Sequence, residues 1–350
     1  MKTVSVHTAK HYDVHIGSGL LTSLGRLLRP LTKAVKVAVI SDSNVWPLFG
    51  DKVTAALTGS GFEVCYHIFP AGEESKNGQT YLSILEFMAQ EQLTRTDCVV
   101  ALGGGVVGDI TGFSAATYLR GIDYVQVPTT VLAAVDSSVG GKTAIDLQVG
   151  KNLAGVFYQP IAVICDTDTL ATLPCRIFKD GCAEVIKYGV LYDPKLFAHL
   201  QETGLDFNLT ETIARCVELK RDVVTADEFD HGERQMLNLG HTVGHSIEAE
   251  SNFGVSHGQA VAAGMAIVAR AAAKKEICDP SAASVIEYVL KKFDLPIDTG
   301  FTAEQLYKAA LSDKKRTGSS VNLIVPNTIG SCSILSTHID DLKAFIEEGL

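Results

Sequence analysis

The sequence predicts an α/β domain built on a parallel sheet, followed by a mainly α-helical domain. Up to about residue 160, short apolar segments with strand character alternate with helical segments, which is the pattern of a parallel α/β sheet. After Pro174 the strand signal fades and helical patterns follow. At 350 residues the chain is long enough for two domains. We therefore predict an α/β domain over residues 1–172 and a helical domain over residues 173–350.

The first predicted strand of the α/β domain ends in a polar cluster. Val35–Ile40 is mostly apolar, and Ser41–Asn44 follows it directly. Parallel α/β sheets bind ligands at the carboxyl ends of their strands. Asp42 and Asn44 are therefore expected either to bind the hydroxyls of a nucleotide or to cap the next helix.

A glycine-rich turn follows the third predicted strand. The second strand, Glu63–Phe69, runs into the charged loop Pro70–Lys76, and the third, Thr96–Leu102, opens into Gly103–Asp109. This turn fits G-x-G-x-x-G, in which glycines let backbone N–H groups approach a pyrophosphate and the next helix N-terminus favours the anion. A tight glycine turn without a ligand is the alternative. The position between a strand and a helix favours a nucleotide site in a Rossmann-like domain.

Polar side chains are dense after the fourth predicted strand, Tyr124–Pro128, and before the fifth, Ala162–Cys165. The hydroxyls, carboxylate, lysines and amide concerned belong to Thr129, Thr130, Asp136, Lys142, Lys151 and Asn152. Together with Arg120, the two lysines offer fixed cations for a phosphate or a carboxylate. A solvated surface is the alternative for this group.

Helical patterns dominate the second half of the chain. The predicted helices are Asp180–Val190, Glu211–Val224, Ala260–Lys274 and Ser281–Phe293, and a short hairpin over Val321–Val325 and Ser331–Leu335 is predicted near the end. Glu184 and Lys187 lie on one side of the first helix. Periodicity alone makes Glu184 equally a metal ligand or a surface glutamate.

Three histidines cluster in the helical domain. His241 and His245 are four residues apart, which puts both on one face of a helix, and His257 follows after a short loop. Neutral imidazoles with a carboxylate from elsewhere hold a divalent metal and leave a position open for substrate. Ordinary polar residues near a helix end are the alternative. The zinc-protease motif H-E-x-x-H is absent because Thr242 stands where its glutamate would be.

Composition excludes several classes of protein. The net charge of -10 argues against a nucleic-acid partner, and the 46% apolar content argues against disorder. The eight scattered cysteines form no C-x-x-C pair and are expected to be buried thiols in a reducing compartment. Since the sequence shows no secretion signal and no apolar run of about 18 residues, a cytoplasmic protein without a membrane partner is expected.

These motifs resemble those of the 3-dehydroquinate synthase family along nearly the whole chain. The motifs that carry the resemblance are Gly103–Asp109, Gly112–Gly121, Pro128–Thr130, Asp136–Thr143, Gly150–Asn152, Ala183–Gly189, Leu237–His245, Ser256–Gly258 and Asp313–Lys315. The resemblance implies a Rossmann-like NAD-binding domain, a helical metal-binding domain and a homodimer. Three positions depart from the common pattern of the family: Ala71, Asp230 and Gln259.

The resemblance also implies roles for individual residues. Zn²⁺ or Co²⁺ would be bound by Glu184, His241 and His257. NAD would be contacted by Asp42, Asn44, Glu73, Lys76, Gly104, Gly105, Val106, Asp109, Thr129, Thr130, Lys142, Lys151, Thr169 and Thr172. Substrate binding and catalysis would involve Arg120, Asp136, Lys142, Lys151, Asn152, Lys187, Lys220, Asp230, Arg234, Asn238, His245 and Lys314.

The reaction implied is the conversion of 3-deoxy-D-arabino-heptulosonate 7-phosphate, a phosphorylated sugar acid, into 3-dehydroquinate and phosphate in the shikimate pathway. It runs through transient oxidation by NAD⁺ at C5, β-elimination of phosphate, re-reduction and an intramolecular aldol closure. The alternatives are a sister cyclase such as 2-deoxy-scyllo-inosose synthase, a metal-dependent polyol dehydrogenase and a non-catalytic NAD sensor. The combination of Arg120, Lys142, Lys151 and Arg234 suits a substrate with both a phosphate and a carboxylate, which favours dehydroquinate synthesis.

Overall fold

The computed structural model describes residues 1–252, 254–312, 316–317 and 319–350. It divides into two compact units, the first formed by Met1–Leu173 and Leu209–Phe229 and the second by Pro174–Asn208 and Asp230–Leu350. The described strands are β1 Lys2–His7, β2 His11–Gly17, β3 Lys36–Asp42, β4 Glu63–Phe69, β5 Cys98–Gly103, β6 Asp123–Pro128, β7 Lys142–Leu147, β8 Gly150–Phe157, β9 Ala162–Asp166, β10 Arg316–Thr317, β11 Ser320–Thr328 and β12 Ser331–His338. The described helices are α1 Leu24–Leu28, α2 Trp46–Thr58, α3 Gly78–Gln90, α4 Gly105–Thr117, α5 Thr167–Leu170, α6 Cys175–Tyr192, α7 Pro194–Thr203, α8 Leu209–Ala226, α9 His241–Glu250, α10 His257–Lys274, α11 Pro280–Lys292, α12 Ala303–Ser312 and α13 Ile339–Gly349.

The first unit contains the predicted parallel sheet. Its seven strands lie in the order β1-β2-β9-β6-β5-β3-β4, and every neighbouring pair is parallel except β1 and β2. The five strands predicted from apolar runs correspond to β3, β4, β5, β6 and β9, so the α/β prediction is confirmed. The sequence analysis did not identify the β7–β8 hairpin, which forms a separate two-stranded sheet.

Helices cover both faces of this sheet. Along β3, Val37 and Val39 join a buried cluster that includes Leu57 of α2, whereas Ile40 joins a second cluster that includes Ile110 of α4. Successive side chains of a strand point to opposite faces, so a continuous apolar run is what a strand buried on both faces requires. The carboxyl ends of β3, β5 and β6 therefore meet at one edge of a rigid sheet.

Helix α8 belongs to the first unit, which the sequence did not predict. It follows α6 and α7 in the chain, but it packs against β1 and β2. Its inner face buries Ile213, Val217 and Val224. The predicted boundary at residues 172 and 173 lies next to the transition from Leu173 to Pro174, and the two compact units differ from the predicted domains mainly by this helix.

The second unit is mainly helical, as predicted. Helix α10 is its central element, because almost every residue from Gly258 to Ala272 is buried. Small alanines let neighbouring helices approach α10 closely, and Ile267 joins a core that includes Leu306 of α12, Val325 of β11 and Phe345 of α13. The predicted hairpin corresponds to β11 and β12, which pair antiparallel.

All eight cysteines are free thiols. Five of them are buried, and burial raises the pKa of Cys165 to about 12. Cys175 is exposed and Cys65 and Cys332 are partly exposed, so the prediction of buried thiols is wrong for these three positions. Within the described residues, no helix combines the length and the apolar content that a bilayer crossing needs.

Candidate active site

The glycine-rich turn joins β5 to α4, between Gly103 and Gly105. The backbone N–H of Thr129, just after β6, donates to the Gly103 carbonyl oxygen at 2.9 Å. A Cβ on Gly104 would lie 3.1 Å from Cγ2 of Thr130, so a side chain there would have to displace the Thr130 side chain slightly. The turn and the end of β6 therefore form one packed surface at the start of α4, whose first N–H groups carry partial positive charge.

Thr129 supplies a test of whether this surface fits a nucleotide. Its side chain is only 2% exposed, and its hydroxyl has no hydrogen-bond partner within the part of the chain that the structure describes. Buried hydroxyls are normally hydrogen-bonded. An orphaned hydroxyl beside a helix N-terminus therefore fits a polar ligand group that completes its bonding.

Four other predicted nucleotide contacts make local hydrogen bonds. Oδ1 of Asp42 accepts the backbone N–H of Asn44 at 2.8 Å, which closes a local turn before α2, and among the described residues no side chain caps that helix at its N-cap residue Val45. Oγ1 of Thr130 accepts a backbone N–H of the following turn at 3.2 Å. The hydroxyls of Thr169 and Thr172 donate to backbone carbonyls at 2.7 and 2.8 Å. These bonds fix the side chains and leave each of the three hydroxyl oxygens further bonding capacity.

Lys76 is the centre of a buried polar network. Its Nζ, on a side chain 5% exposed, donates to Asp109 Oδ2 and to Asn152 Oδ1, both at 2.6 Å. Oδ1 of Asp146 accepts the Asn152 backbone N–H at 2.7 Å. Burial alone would lower the pKa of Lys76, but the Asp109 and Glu73 carboxylates raise it above its ordinary value, so the ammonium stays charged. Lys76 and Asp109, which are predicted NAD contacts, and Asn152, a predicted substrate contact, therefore belong to one hydrogen-bonded network.

Asp136 and Lys220 form a second polar pair in the first unit. Asp136 lies on the π-helical turn Ala133–Ser137. Nζ of Lys220 donates to the Asp136 backbone oxygen at 2.6 Å and lies 2.9 Å from its Oδ1. Lys220 is 5% exposed and lies on α8. The helix that follows α7 in the chain thus supplies the cation that holds this turn.

The remaining predicted cations of the first unit are more accessible. Arg120 and Lys142 are exposed, and Lys151 lies 3.6 Å from Glu73. Arg120 has φ 69 and Asn152 has φ 54, in the left-handed region that residues with a Cβ rarely adopt. Such backbone conformations cost free energy, so the surrounding structure must hold them in place.

In the second unit, Glu184, His241 and His257 come together. Nε2 of His241 lies 3.6 Å and Nε2 of His257 lies 3.3 Å from Oε1 of Glu184, which is completely buried. One ligand atom from each residue lies within 4.8 Å of the others. Two imidazoles and a carboxylate with this spacing suit a four- to five-coordinate ion such as Zn²⁺ or Co²⁺ with positions left open. Lys187, also buried, forms an ion pair with Oε2 of Glu184.

The second ring nitrogen of each imidazole, Nδ1, also has a polar neighbour. Nδ1 of His241 lies 3.1 Å from the Leu239 carbonyl oxygen, and Nδ1 of His257 lies 3.3 Å from Oε2 of Glu248. Burial alone would lower the pKa of His257, but the Glu184 and Glu248 carboxylates raise it to about 10. Metal-binding histidines usually bond their second nitrogen in this way, so the donor set fits a metal. The sequence analysis missed Glu248, although it lies on the same face of α9 as His241.

The ligands are positioned by helices that pack without side chains between them. A Cβ on Gly264 of α10 would lie 2.1 Å from the carbonyl oxygen of Gly240, the residue before α9. A Cβ on Gly258, next to His257, would lie 1.9 Å from the Asp180 carbonyl oxygen of α6. Glycine is therefore required at both contacts. The helices that carry the three candidate ligands therefore meet at backbone distance, and this sets the separation of those side chains.

Asp180 also fixes the start of α10. Its Oδ1 accepts the backbone N–H of Gln259 at 2.9 Å and the hydroxyl of Ser256. Asp180 and Glu184 are four residues apart on α6, hence on one face of that helix. The same face of α6 thus supplies one candidate metal ligand and the cap of the helix that begins with another candidate ligand. Gln259, one of the three positions that depart from the family pattern, contributes only its backbone N–H to this contact.

Other predicted residues of the second unit lie near the ligands in sequence. His245 is one turn beyond His241, with ring centroids 5.5 Å from His241 and 6.2 Å from His257. Arg234 is 2% exposed on the turn Glu233–Asn238. Asp230 has φ 61, another left-handed position. Lys314 lies outside the described residues.

Two family profiles match consecutive stretches of this chain. Residues 66–180 match the profile described as 3-dehydroquinate synthase N-terminal, and residues 181–316 match the one described as 3-dehydroquinate synthase C-terminal. Curated 3-dehydroquinate synthases of Enterococcus faecalis and Streptococcus pneumoniae are similar. The first is 40% identical over 99% of this chain and 98% of its own length. The second is 41% identical over 96% of each chain.

Solved structures of related cyclases have the same fold. A 2-deoxy-scyllo-inosose synthase in complex with carbaglucose-6-phosphate, NAD⁺ and Co²⁺ superposes with a TM-score of 0.90 at 26% identity over 100% of both chains. A 2-epi-5-epi-valiolone synthase from Streptomyces hygroscopicus, with NAD⁺ and Zn²⁺ bound, superposes with a TM-score of 0.89 at 24% identity over 98% of both chains.

Proposed function

The chain belongs to the 3-dehydroquinate synthase family, and on that premise we propose that it converts 3-deoxy-D-arabino-heptulosonate 7-phosphate into 3-dehydroquinate and phosphate. The observation that carries the proposal is the buried cluster of Glu184, His241 and His257, in a chain similar to the family along almost its whole length. The reaction is a phosphate elimination with ring closure, and the enzyme is accordingly a lyase.

We assign the metal to the cluster of Glu184, His241 and His257. Zn²⁺ or Co²⁺ held by these residues would supply Lewis acidity to a substrate hydroxyl. Glu184 brings a negative charge, which the neighbouring Lys187 partly balances. The bonds to Leu239 and Glu248 keep the two imidazoles oriented towards Glu184.

We assign NAD to the glycine-rich turn and its surroundings. NAD supplies a hydride acceptor that becomes the donor later in the same turnover, so it is not consumed. The first N–H groups of α4, after Gly104, suit the pyrophosphate, and the orphaned hydroxyl of Thr129 suits a second polar group of the cofactor. Asp109 is already held by Lys76 and is therefore oriented before any ligand arrives.

Several predicted arginines and lysines are assigned to the anionic groups of the substrate. Arg120, Lys142 and Lys151 are accessible in the first unit, and their number suits a substrate that carries a phosphate and a carboxylate. In the second unit Lys187 and Arg234 are buried, so their charge is little screened by water. Asp136, Asn152, Lys220, Asp230, Asn238 and Lys314 complete the proposed set of substrate and catalytic residues.

His245 is assigned the proton transfer. It lies on the ligand-bearing face of α9, and it is less buried than His241. A neutral imidazole can accept a hydroxyl proton and later return it.

The deciding experiment measures phosphate release with catalytic NAD and added Zn²⁺ or Co²⁺. We expect release from 3-deoxy-D-arabino-heptulosonate 7-phosphate without net NADH, and none from glucose 6-phosphate. Release from glucose 6-phosphate instead would assign the protein to the sister cyclases. Steady accumulation of NADH would indicate a dehydrogenase, and NAD binding without turnover would indicate a sensor.

Family membership also supports a homodimer as the functional assembly. Light scattering of the purified protein after size exclusion would measure this directly. A mass of one chain across the working concentration range would contradict it.

A further inference from the structure

Glu248 is a buried carboxylate that the proposed reaction does not use. It is 3% exposed, and its Oε2 lies 3.3 Å from Nδ1 of His257. It lies on α9 three residues after His245 and seven after His241, so all three share one face of that helix. Taking a carboxylate out of water is costly unless it is paired or hydrogen-bonded. Its contact with His257 therefore calls for a functional explanation.

The two nitrogens of His257 face different carboxylates. Nε2 faces Oε1 of Glu184 at 3.3 Å, and Nδ1 faces Oε2 of Glu248 at the same distance. A neutral imidazole carries one N–H, and a metal needs the other nitrogen with its lone pair. Both carboxylates accept hydrogen bonds, so the choice of tautomer depends on the ion: once Nε2 and Glu184 are engaged by a metal, Glu248 is the acceptor that would hold the hydrogen on Nδ1.

The second imidazole of the cluster is held differently. Nδ1 of His241 bonds to the Leu239 carbonyl oxygen, which is a neutral acceptor. A charged acceptor raises the basicity of the opposite nitrogen more than a neutral one does. His257 should therefore be the stronger imidazole ligand, and its strength should depend on the charge of Glu248.

We propose that Glu248 is a positioning residue for the metal centre, which fixes the tautomer and orientation of His257 and strengthens its Nε2 as a ligand. The inference rests on the proposed metal site. Glu248 acts through His257 and does not touch the ion. Glutamine at this position keeps the size but removes the charge, and its amide can turn to donate a hydrogen bond, which would select the other tautomer.

The test compares Glu248→Gln with Glu250→Gln, a glutamate two residues further along the same helix that is not fully buried. Zinc affinity is measured by competition with a chromophoric chelator, and the visible absorption of the Co²⁺-loaded protein reports ligand geometry. We expect 10- to 100-fold weaker zinc binding and an altered cobalt spectrum in Glu248→Gln, with Glu250→Gln unchanged. Glu248→Asp keeps the charge and should recover part of the affinity.

Thermal unfolding of the metal-free variants separates positioning from mere stability. Wild-type zinc affinity and cobalt spectrum in folded Glu248→Gln would overturn the inference, even if that variant unfolded at a lower temperature. His245, Glu248 and His257 also bring ligand atoms within 4.8 Å of one another. Two zinc ions per wild-type chain, with one lost in Glu248→Gln, would make Glu248 a ligand and would overturn its positioning role.

The same measurements separate this inference from the proposed function. If the wild type released no phosphate but bound zinc, and zinc binding weakened in Glu248→Gln, the proposed function would be disproved and the positioning role would stand. If the wild type were active and bound zinc, and Glu248→Gln bound zinc with the same affinity, only the positioning role would be disproved. A wild type that binds no zinc would overturn both.

Discussion

Gly264 of α10 packs against the backbone of Gly240 so closely that a Cβ on Gly264 would lie 2.1 Å from the Gly240 carbonyl oxygen. Gly240 immediately precedes His241, and its φ of 77 is itself a glycine conformation. The contact joins the helix that begins with His241 to the helix that begins with His257. Its geometry therefore controls how far apart the two imidazoles lie.

Gly264→Ala should separate α9 from α10. The added methyl group meets backbone on the facing segment, which cannot rotate away, so we expect a loss of about 1–3 kcal/mol in the free energy of unfolding. Zinc affinity should fall as well, since the ligand spacing changes. Denaturant unfolding and chelator competition measure the two effects.

The control for this variant is Gly300→Ala. A Cβ on Gly300 would meet nothing within 4 Å, and the φ of Gly300 lies outside the left-handed range. Its stability and zinc affinity should match those of the wild type. Equal behaviour of the two variants would show that the Gly264 contact does not set the ligand spacing.

Lys76→Met should destabilise the first unit. Removing the ammonium leaves the largely buried Asp109 carboxylate without its cation, and breaking such a pair costs about 3 kcal/mol or more. Asn152 loses the same bond, so affinity for NAD and for substrate should both fall. Lys52→Met, at an exposed lysine, should stay within about 0.5 kcal/mol of the wild type.

The pH dependence of this difference has a predicted sign. The folded-state pKa of Lys76 lies above its ordinary value, because the Asp109 and Glu73 carboxylates outweigh the effect of burial. A raised lysine pKa gives stability that is fully present below the unfolded-state pKa and is lost as pH rises through the folded-state pKa. The stability gap between wild type and Lys76→Met should therefore not close between about pH 7 and about pH 9. A gap that closes over this interval would contradict the buried ion pair.

Lys220 and Arg215 lie on the same helix and should differ in importance. Lys220 is buried and holds both the backbone oxygen and the side chain of Asp136, so Lys220→Met should cost about 2–4 kcal/mol and reduce turnover. Arg215 forms a surface ion pair with Glu218, and Arg215→Met should cost less than about 1 kcal/mol. Denaturant unfolding ranks them, and equal losses would contradict the role assigned to Lys220.

Local sequence signals predicted most helices and strands, but they did not predict which compact unit each element packs into. The apolar run of β3 is visible in the sequence because Val37 and Ile40 must be buried on opposite faces. The amphipathic pattern of α8 shows that one face is buried, but it cannot say against which unit. The β7–β8 hairpin was missed because its burial alternates weakly, as β8 has no fully buried residue.

The candidate site also contains residues that the sequence identified and residues that it did not. Residue type and spacing pointed to the group of His241, His245 and His257. The choice of ligands within that group, and of Glu184, needed the family resemblance. Glu248 and Asp180 were missed because each acts on a helix other than its own. Glu248 reaches His257 across the loop after α9, and Asp180 caps α10 from α6. Contacts of this kind depend on helix packing, which periodicity within one segment does not report.

His257 and His245 should fail in different ways when replaced by alanine. His257→Ala removes a proposed ligand, so zinc binding and phosphate release should be lost together. His245→Ala leaves Glu184, His241 and His257 in place, so zinc affinity should stay within a few-fold of the wild type while turnover falls about 100-fold or more. His199→Ala, at an exposed histidine of α7, should change neither zinc binding nor turnover.

Zinc content after dialysis and the rate of phosphate release measure the difference between these variants. Full activity of His257→Ala in chelator-treated buffer would disprove the metal assignment, and loss of zinc from His245→Ala would make His245 a ligand instead of a proton carrier.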